Sequence, residues 1–194
     1  RNGVPTGFNP LQLPLTAETI EFLKVWLRSL VRENVPLTIR EEGDLDAALM
    51  GTLALDASAR RLSRLIEFTD ATRSEGIHMR LARWCESTKG HYAWVFDNAD
   101  DSLVGQLAKA SLFGVDVTEF LDNALTRAPV TLYLFHVIRQ LLDGRKFVCW
   151  MDEFWKLLSD PSFEGFAKDG PKTWRKLNGV MCLATQSASD VLDS

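Results

Sequence analysis

The chain has 194 residues, of which 46% are hydrophobic and 25% charged, so it can bury its own core without disulfides. The net charge of −4 argues against a dedicated non-specific nucleic-acid binder but leaves room for a local basic patch. No apolar run reaches about 18 residues, and the three cysteines form no CxxC pair, which argues against a membrane span and a structural zinc site.

The first half of the chain predicts helices. Residues 1–15 carry three prolines and two glycines, which predicts an extended lead-in. The apolar spacing that follows predicts four helices with short turns, the first two capped by Thr16 and Thr38. We therefore predict an all-α subdomain over residues 16–88. Because the sequence starts at Arg1 without an initiator methionine, we expect a piece of a longer protein.

Arginines are concentrated in the second half of this subdomain. A solvated helix face explains them best, and a docking patch for an acidic partner or nucleic acid is the alternative. They are Arg60, Arg61, Arg64, Arg73, Arg80 and Arg83.

From Gly90 onward the pattern changes to alternating strands and helices. Aromatic and β-branched runs predict strands at 92–96 and 111–117, and Pro129 is predicted in the first turn of a helix. Continuous apolar runs predict two strands buried on both faces, at 146–151 and 180–184. Strand–helix–strand alternation over residues 89–194 predicts an α/β class with a mainly parallel sheet. Cys149 and Cys182 fall in the two buried runs, so we expect buried, reduced thiols and a reducing cytoplasmic compartment.

The first buried run is followed directly by Asp152 and Glu153. In a parallel sheet the ligand site lies beyond the carboxyl ends of the strands, where these two acids fall. This is the Walker B pattern, in which the Asp holds Mg²⁺ and the Glu activates the attacking water. The alternative is a pair of solvated acids at a strand end.

Polar residues also follow the second buried run, at Thr185 and Gln186. If the two strands are neighbours, all these side chains stand on one rim. Between the strands, Arg175 and Lys176 lie at a predicted helix end, where a guanidinium can contact phosphate oxygens. Their alternative role is to complement the helix dipole.

The amino-acid sequences of these segments resemble those of one protein family. The late motifs are MDEFWKLL, KTWRKLNG and ATQSASDVLDS, and the upstream motifs are GFNPLQLP, YAWVFDN and APVTLYLFHVIRQLLDGRKF. Together they resemble the C-terminal motor domain of conjugal-transfer and type IV secretion ATPases of the CagE/TrbE/VirB type. The resemblance covers nearly the whole chain. It implies a RecA-like P-loop NTPase sheet with an all-α subdomain, and ATP and Mg²⁺ as ligands.

The resemblance also implies roles for single residues. Asp152 resembles the Mg²⁺-holding acid, Glu153 the general base, and Gln186 the residue that senses the γ-phosphate. Arg175 and Lys176 resemble a basic pair that acts on the nucleotide of a neighbouring subunit.

For the intact protein, the resemblance implies a bacterial cytoplasmic ATPase at the inner face of the inner membrane. It implies a homo-oligomeric ring, such as a hexamer, and other type IV secretion components as partners, whereas nucleic acid is not indicated. A related DNA-translocating coupling ATPase and a non-catalytic interaction module are the alternatives.

One departure from the family is large. The chain contains no G-x-x-x-x-G-K-[ST], and none of its glycines is followed by lysine. This Walker A loop supplies the backbone N–H groups and the lysine that hold the β- and γ-phosphates. We therefore predict that the chain alone neither binds ATP tightly nor hydrolyses it, and that its sheet is incomplete.

Overall fold

A computed structural model describes residues 3–33, 36–152 and 173–184. The chain divides into two compact units, Arg1–Val115 and Asp116–Ser194. The sequence prediction ends the all-α subdomain earlier, at residue 88. Residues 89–115 group with the first unit because the lead-in is hydrogen-bonded to them. The domain organisation of the longer protein stays a prediction.

The first unit is helical, and its first two helices begin where the sequence predicts. Helix α1 (Ala17–Leu30) is capped by Thr16, whose hydroxyl accepts from the Thr19 N–H at 3.1 Å. Helix α2 (Ile39–Leu53) is capped by Thr38. The shorter helices are α3 (Leu62–Leu65), α4 (Ile77–Ala82), α5 (Ala93–Phe96) and α6 (Leu103–Lys109), with 3-10 turns at Pro10–Gln12, Ala57–Ala59, Ile66–Phe68 and Glu86–Thr88.

Aromatic residues form the centre of this unit. The Phe96 ring lies 5.1 Å from Trp26 and 6.0 Å from Trp84, between ring centroids, and all three side chains are fully buried. The strand predicted at 92–96 is therefore wrong, because this segment forms α5. Aromatic and β-branched residues suit a buried helical turn as well as a strand, and here they pack against α1 rather than pair with a second strand.

The lead-in is bound along its length to the segment after α5. The Asn98 side chain donates to the Phe8 carbonyl at 2.9 Å, and the Asn9 side chain donates to the Asn98 carbonyl at 2.8 Å. The Ser102 N–H donates to the Gly7 carbonyl at 2.9 Å. Two of the motifs that resemble the secretion ATPases, GFNPLQLP and YAWVFDN, therefore contact each other.

The second unit contains helix α7 (Thr118–Asp122), helix α8 (Ala124–Gln140) and strands β1 (Phe147–Met151) and β2 (Gly179–Leu183). The strands pair in parallel, in register from Phe147 opposite Gly179 to Met151 opposite Leu183. This parallel pair confirms the predicted α/β class. Residues 111–117 form no strand, so that prediction is wrong.

Helix α8 begins earlier than predicted. Asn123 is its N-cap and accepts from the Leu125 N–H at 2.9 Å, so Pro129 lies inside the helix and not in its first turn. The Asn123 side chain accepts a hydrogen bond from an N–H in the first turn of the helix that would otherwise be unpaired, whereas a proline side chain has no acceptor for it.

The two faces of the β1–β2 pair differ. One face packs on Ile138, Leu142 and Trp174, which are all buried. The other face exposes Val148 (56%), Trp150 (79%) and Val180 (53%). The prediction that β1 is buried on both faces is therefore wrong in the described part of the chain, where a single layer covers the sheet. No helix in that part is long and apolar enough to cross a membrane.

Candidate functional site

The carboxyl edge of the sheet carries Asp152. The Ala184 N–H donates to the Met151 carbonyl at 2.8 Å, which continues the ladder by one residue beyond β2. Asp152, which is exposed, thus follows β1 directly beside Ala184 on the neighbouring strand, and parallel strands lie about 4.8 Å apart. The two strands are neighbours, which meets the condition stated for a shared rim. Glu153, Thr185 and Gln186 lie outside the described residues.

Other acids lie at this end of the second unit. Helix α7 packs here, because Leu121 and Ala128 form a cluster with Met151, the last residue of β1. Asp116, Glu119 and Asp122 are in or next to α7. The Thr118 N–H, which donates to Asp116 at 3.1 Å, lowers the pKa of that carboxyl. The carboxyl edge is therefore acidic.

Carboxylate oxygens of this kind suit Mg²⁺, which is commonly held by one or two carboxylates, water and substrate phosphates. Asp152 is placed to be such a ligand, because it is exposed at the edge where strands end. Among the described residues, no three acidic, histidine or cysteine side chains converge on one point. The described residues therefore offer Asp152 as a single carboxylate ligand at this edge.

Arg175 and Lys176 lie at the opposite edge. Residues 173–176 are helical and precede β2 by a short turn. Trp174 is buried, with its ring centroid 6.0 Å from that of Phe147, the first residue of β1. Arg175 and Lys176, which follow Trp174, are exposed. A strand of this length spans about 16 Å, so the structure does not bring the basic pair to Asp152.

A tight corner joins this basic turn to both strands. Asn178 has a positive φ of 60°, and its side-chain amide donates to the Gly144 carbonyl at 2.8 Å. The next residue, Gly179, is tightly packed, because a Cβ would lie 3.0 Å from Leu142 Cδ2 and 3.2 Å from the Trp174 carbonyl oxygen. The sequence shows Asn-Gly as a helix end, but the close approach that requires the glycine appears only in the fold.

The arginines of the first unit have partners within that unit. The Arg60 guanidinium donates to the Leu55 carbonyl at 3.0 Å. Because the arginines are paired within the unit, they fit a solvated helix face better than a docking patch for an acidic partner. The ion pairs are Arg61 with Glu86 and Asp97, Arg64 with Glu67, Arg73 with Asp70, Arg80 with Glu33 and Glu41, and Arg83 with Glu33.

The three cysteines are free thiols. Cys149 and Cys182 are half-buried and not fully buried as predicted. Burial, together with the nearby Cys182, still raises the pKa of Cys149 to about 11. Cys149 is thus a poor nucleophile at neutral pH and does not belong to the candidate site.

No family model matches the chain. The type IV secretion system protein PtlC of Bordetella pertussis is 43% identical over 199 residues, which cover 99% of this chain and 24% of PtlC. The VirB4 protein of Bartonella quintana is 42% identical over 196 residues, covering 100% of this chain and 24% of that protein.

Over its whole length, the chain is homologous to one segment of the VirB4 and PtlC type IV secretion proteins. The resemblance drawn from the sequence motifs is thereby confirmed. The chain spans 24% of the length of these curated relatives. VirB4 of Thermoanaerobacter pseudethanolicus has the same fold, with a TM-score of 0.69 at 21% identity over 97% of this chain and 57% of that one.

Proposed function

We propose that the chain is the part of a type IV secretion ATPase that carries the metal-binding and water-activating half of the catalytic site. The observation that carries this proposal is the parallel β1–β2 pair, which sets Asp152 beside Ala184 at the carboxyl edge. In the longer protein, Mg²⁺-dependent ATP hydrolysis powers conjugative transfer, effector export, or assembly of the channel or pilus. The homology to VirB4 and PtlC supports this assignment.

Each residue at the carboxyl edge has a proposed role. Bound MgATP supplies the phosphoryl group that is transferred to water. Asp152 would hold the metal, and Glu153, the next residue, would orient the attacking water and accept its proton. Gln186, which follows Ala184 by two residues in the sequence, would contact the terminal phosphate.

We propose that Arg175 and Lys176 act on the nucleotide of a neighbouring subunit. Their position at the amino edge, about one strand length from Asp152, supports a role between subunits over one within a subunit. The basic amino edge and the acidic carboxyl edge are complementary, which suits a head-to-tail contact that closes into a ring, such as a hexamer. In that ring a guanidinium of one subunit stabilises negative charge developing at the next.

The proposed partners are other type IV secretion components at the cytoplasmic face of the bacterial inner membrane. Support comes from the relatives of the chain, which are type IV secretion system proteins.

The base assignment is tested by Glu153→Gln in a full-length protein that contains this segment. We expect ATP turnover to fall by about 10²- to 10⁴-fold, because glutamine cannot accept the proton of water. ATP binding should be retained, because the metal ligand Asp152 and the phosphate contacts are unchanged. Measurements of phosphate release and of equilibrium ATP binding check both statements.

The matched control is Glu67→Gln. It makes the same chemical change at an exposed residue of the first unit that pairs with Arg64. Turnover of this control should equal that of the wild type. Unchanged turnover in Glu153→Gln would show that Glu153 is not the base.

A further inference from the structure

Asn178 joins three separate pieces of the second unit. Its backbone N–H donates to the Arg175 carbonyl at 3.3 Å, and its own carbonyl accepts from the Phe147 N–H at 3.2 Å. Its side-chain amide donates to the Gly144 carbonyl at 2.8 Å. One residue therefore connects the helical turn that carries Arg175, the first residue of β1, and the turn that leads into β1.

The backbone of Asn178 favours asparagine or glycine. Its φ of 60° lies in the left-handed region, which asparagine tolerates better than most residues and glycine adopts freely. Only asparagine combines this conformation with an amide donor of the right reach for Gly144. The residue is thus suited both to turning the chain and to bonding the adjacent turn.

The pieces on either side of this joint are fixed. Trp174 is buried, and the Leu177 N–H donates to its carbonyl at 2.9 Å. Gly179 is packed so closely that a Cβ would press on Leu142 and Trp174. Arg175 and Lys176 are exposed between these anchors. Their backbone is therefore held in place, while their side chains are available to a ligand outside the unit.

We infer that Asn178 is a positioning residue for Arg175, acting through the bond to Gly144 and the left-handed corner. The inference rests on the proposed function of Arg175 at a neighbouring subunit's nucleotide. A guanidinium that must meet a phosphate across a subunit contact loses its effect when its backbone shifts by about 1 Å. Asn178 prevents that shift, and it does not itself touch the nucleotide.

The test is a double-mutant cycle in the full-length protein, using Asn178→Gly and Arg175→Ala. Glycine keeps the left-handed corner and removes only the side-chain donor, so the protein should fold. We expect Asn178→Gly to lower kcat by about three- to tenfold, which corresponds to one hydrogen bond, and to change the KM for ATP by less than about twofold. Arg175→Ala should lower kcat by about 10²-fold or more.

The decisive measurement is the double variant. If Asn178 acts through Arg175, the double variant should have the kcat of Arg175→Ala alone, within about twofold. If the two losses multiply, Asn178 has a general structural role and the inference is overturned. Asn123→Gly removes one side-chain to backbone bond elsewhere in the same unit, at the α8 N-cap, and should leave kcat unchanged.

The remaining outcomes separate this inference from the proposal on which it rests. A wild-type protein without ATPase activity would overturn the proposed function, and the inference with it. An active wild type with an unaffected Arg175→Ala would remove the role of Arg175 and of its positioning residue. An active wild type with an unaffected Asn178→Gly would overturn the inference and leave the proposed function standing.

Discussion

Asp97 is the most heavily bonded acid of the first unit. Its side chain is fully buried and accepts from the Ser63 N–H at 3.0 Å, the Glu86 N–H at 2.7 Å, the Ser63 hydroxyl and Arg61 Nε at 3.0 Å. A buried charge is tolerated only when it is paired and hydrogen-bonded. Asp97 therefore holds α3, the turn at Glu86 and the end of α5 together.

Replacing Asp97 by asparagine should destabilise the protein strongly. The amide would set an NH₂ group against N–H donors and leave Arg61 without its buried counter-charge. We expect a loss of about 3 kcal/mol in the free energy of unfolding, measured by urea denaturation of the 194-residue chain. Glu67→Gln, which breaks a surface pair, should cost less than about 0.5 kcal/mol. Equal losses would contradict the assigned role of Asp97.

Helix α2 starts with a reciprocal cap. The Glu41 N–H donates to the Thr38 hydroxyl at 3.2 Å, and the Glu41 carboxylate accepts from the Thr38 N–H at 2.9 Å. The Thr38 backbone N–H and then its hydroxyl lower the pKa of Glu41. The cap is therefore strongest when Glu41 is ionised, and it needs no contact from elsewhere in the fold.

Thr38→Ala should lower the stability of the protein by about 1 kcal/mol at neutral pH. Because the folded-state pKa of Glu41 is depressed, its contribution is present above the unfolded pKa of about 4.3 and is lost as the pH falls through the folded value. The difference between wild type and variant should therefore shrink below about pH 4. Urea midpoints at neutral and acidic pH measure this. A constant difference would show that the Thr38 hydroxyl does not stabilise ionised Glu41, since the variant keeps the backbone N–H of residue 38.

At the scale of helices and strands, features that depend on residues close together in the sequence could be predicted. Thr16 and Thr38 were predictable as caps because a cap depends on residues three positions apart. The aromatic run at 92–96 was misassigned because its burial against Trp26 is a tertiary contact. The parallel direction of β1 and β2 followed from the alternation of strands and helices, whereas the apolar run of β1 wrongly predicted burial on both faces. To predict that Arg175 lies at the opposite edge from Asp152, the direction of the strands must also be known. The proposed role of Asn178 can be recognised only from its backbone φ.

At the scale of the molecule, the second unit has electrical polarity. Lys146, Arg175 and Lys176 are exposed at or near the start of the strands, where Arg145 is paired with Asp143 at 2.9 Å, whereas Asp152 and the acids of α7 lie at or near their ends. The unit thus presents complementary charges on opposite edges. The sequence contains no Walker A motif to provide the backbone cradle and lysine that hold nucleotide phosphates in P-loop proteins.

The 194-residue chain should therefore bind MgATP only weakly. In the proposed site Asp152 contributes one metal contact, but most of the affinity for a triphosphate comes from the Walker A loop, which the sequence lacks. Calorimetric titration with ATP at millimolar Mg²⁺ should give no saturable heat in the micromolar range. A longer protein that joins this segment to a Walker A loop should bind under the same conditions. Micromolar binding by the chain alone would mean that its own residues hold the phosphates.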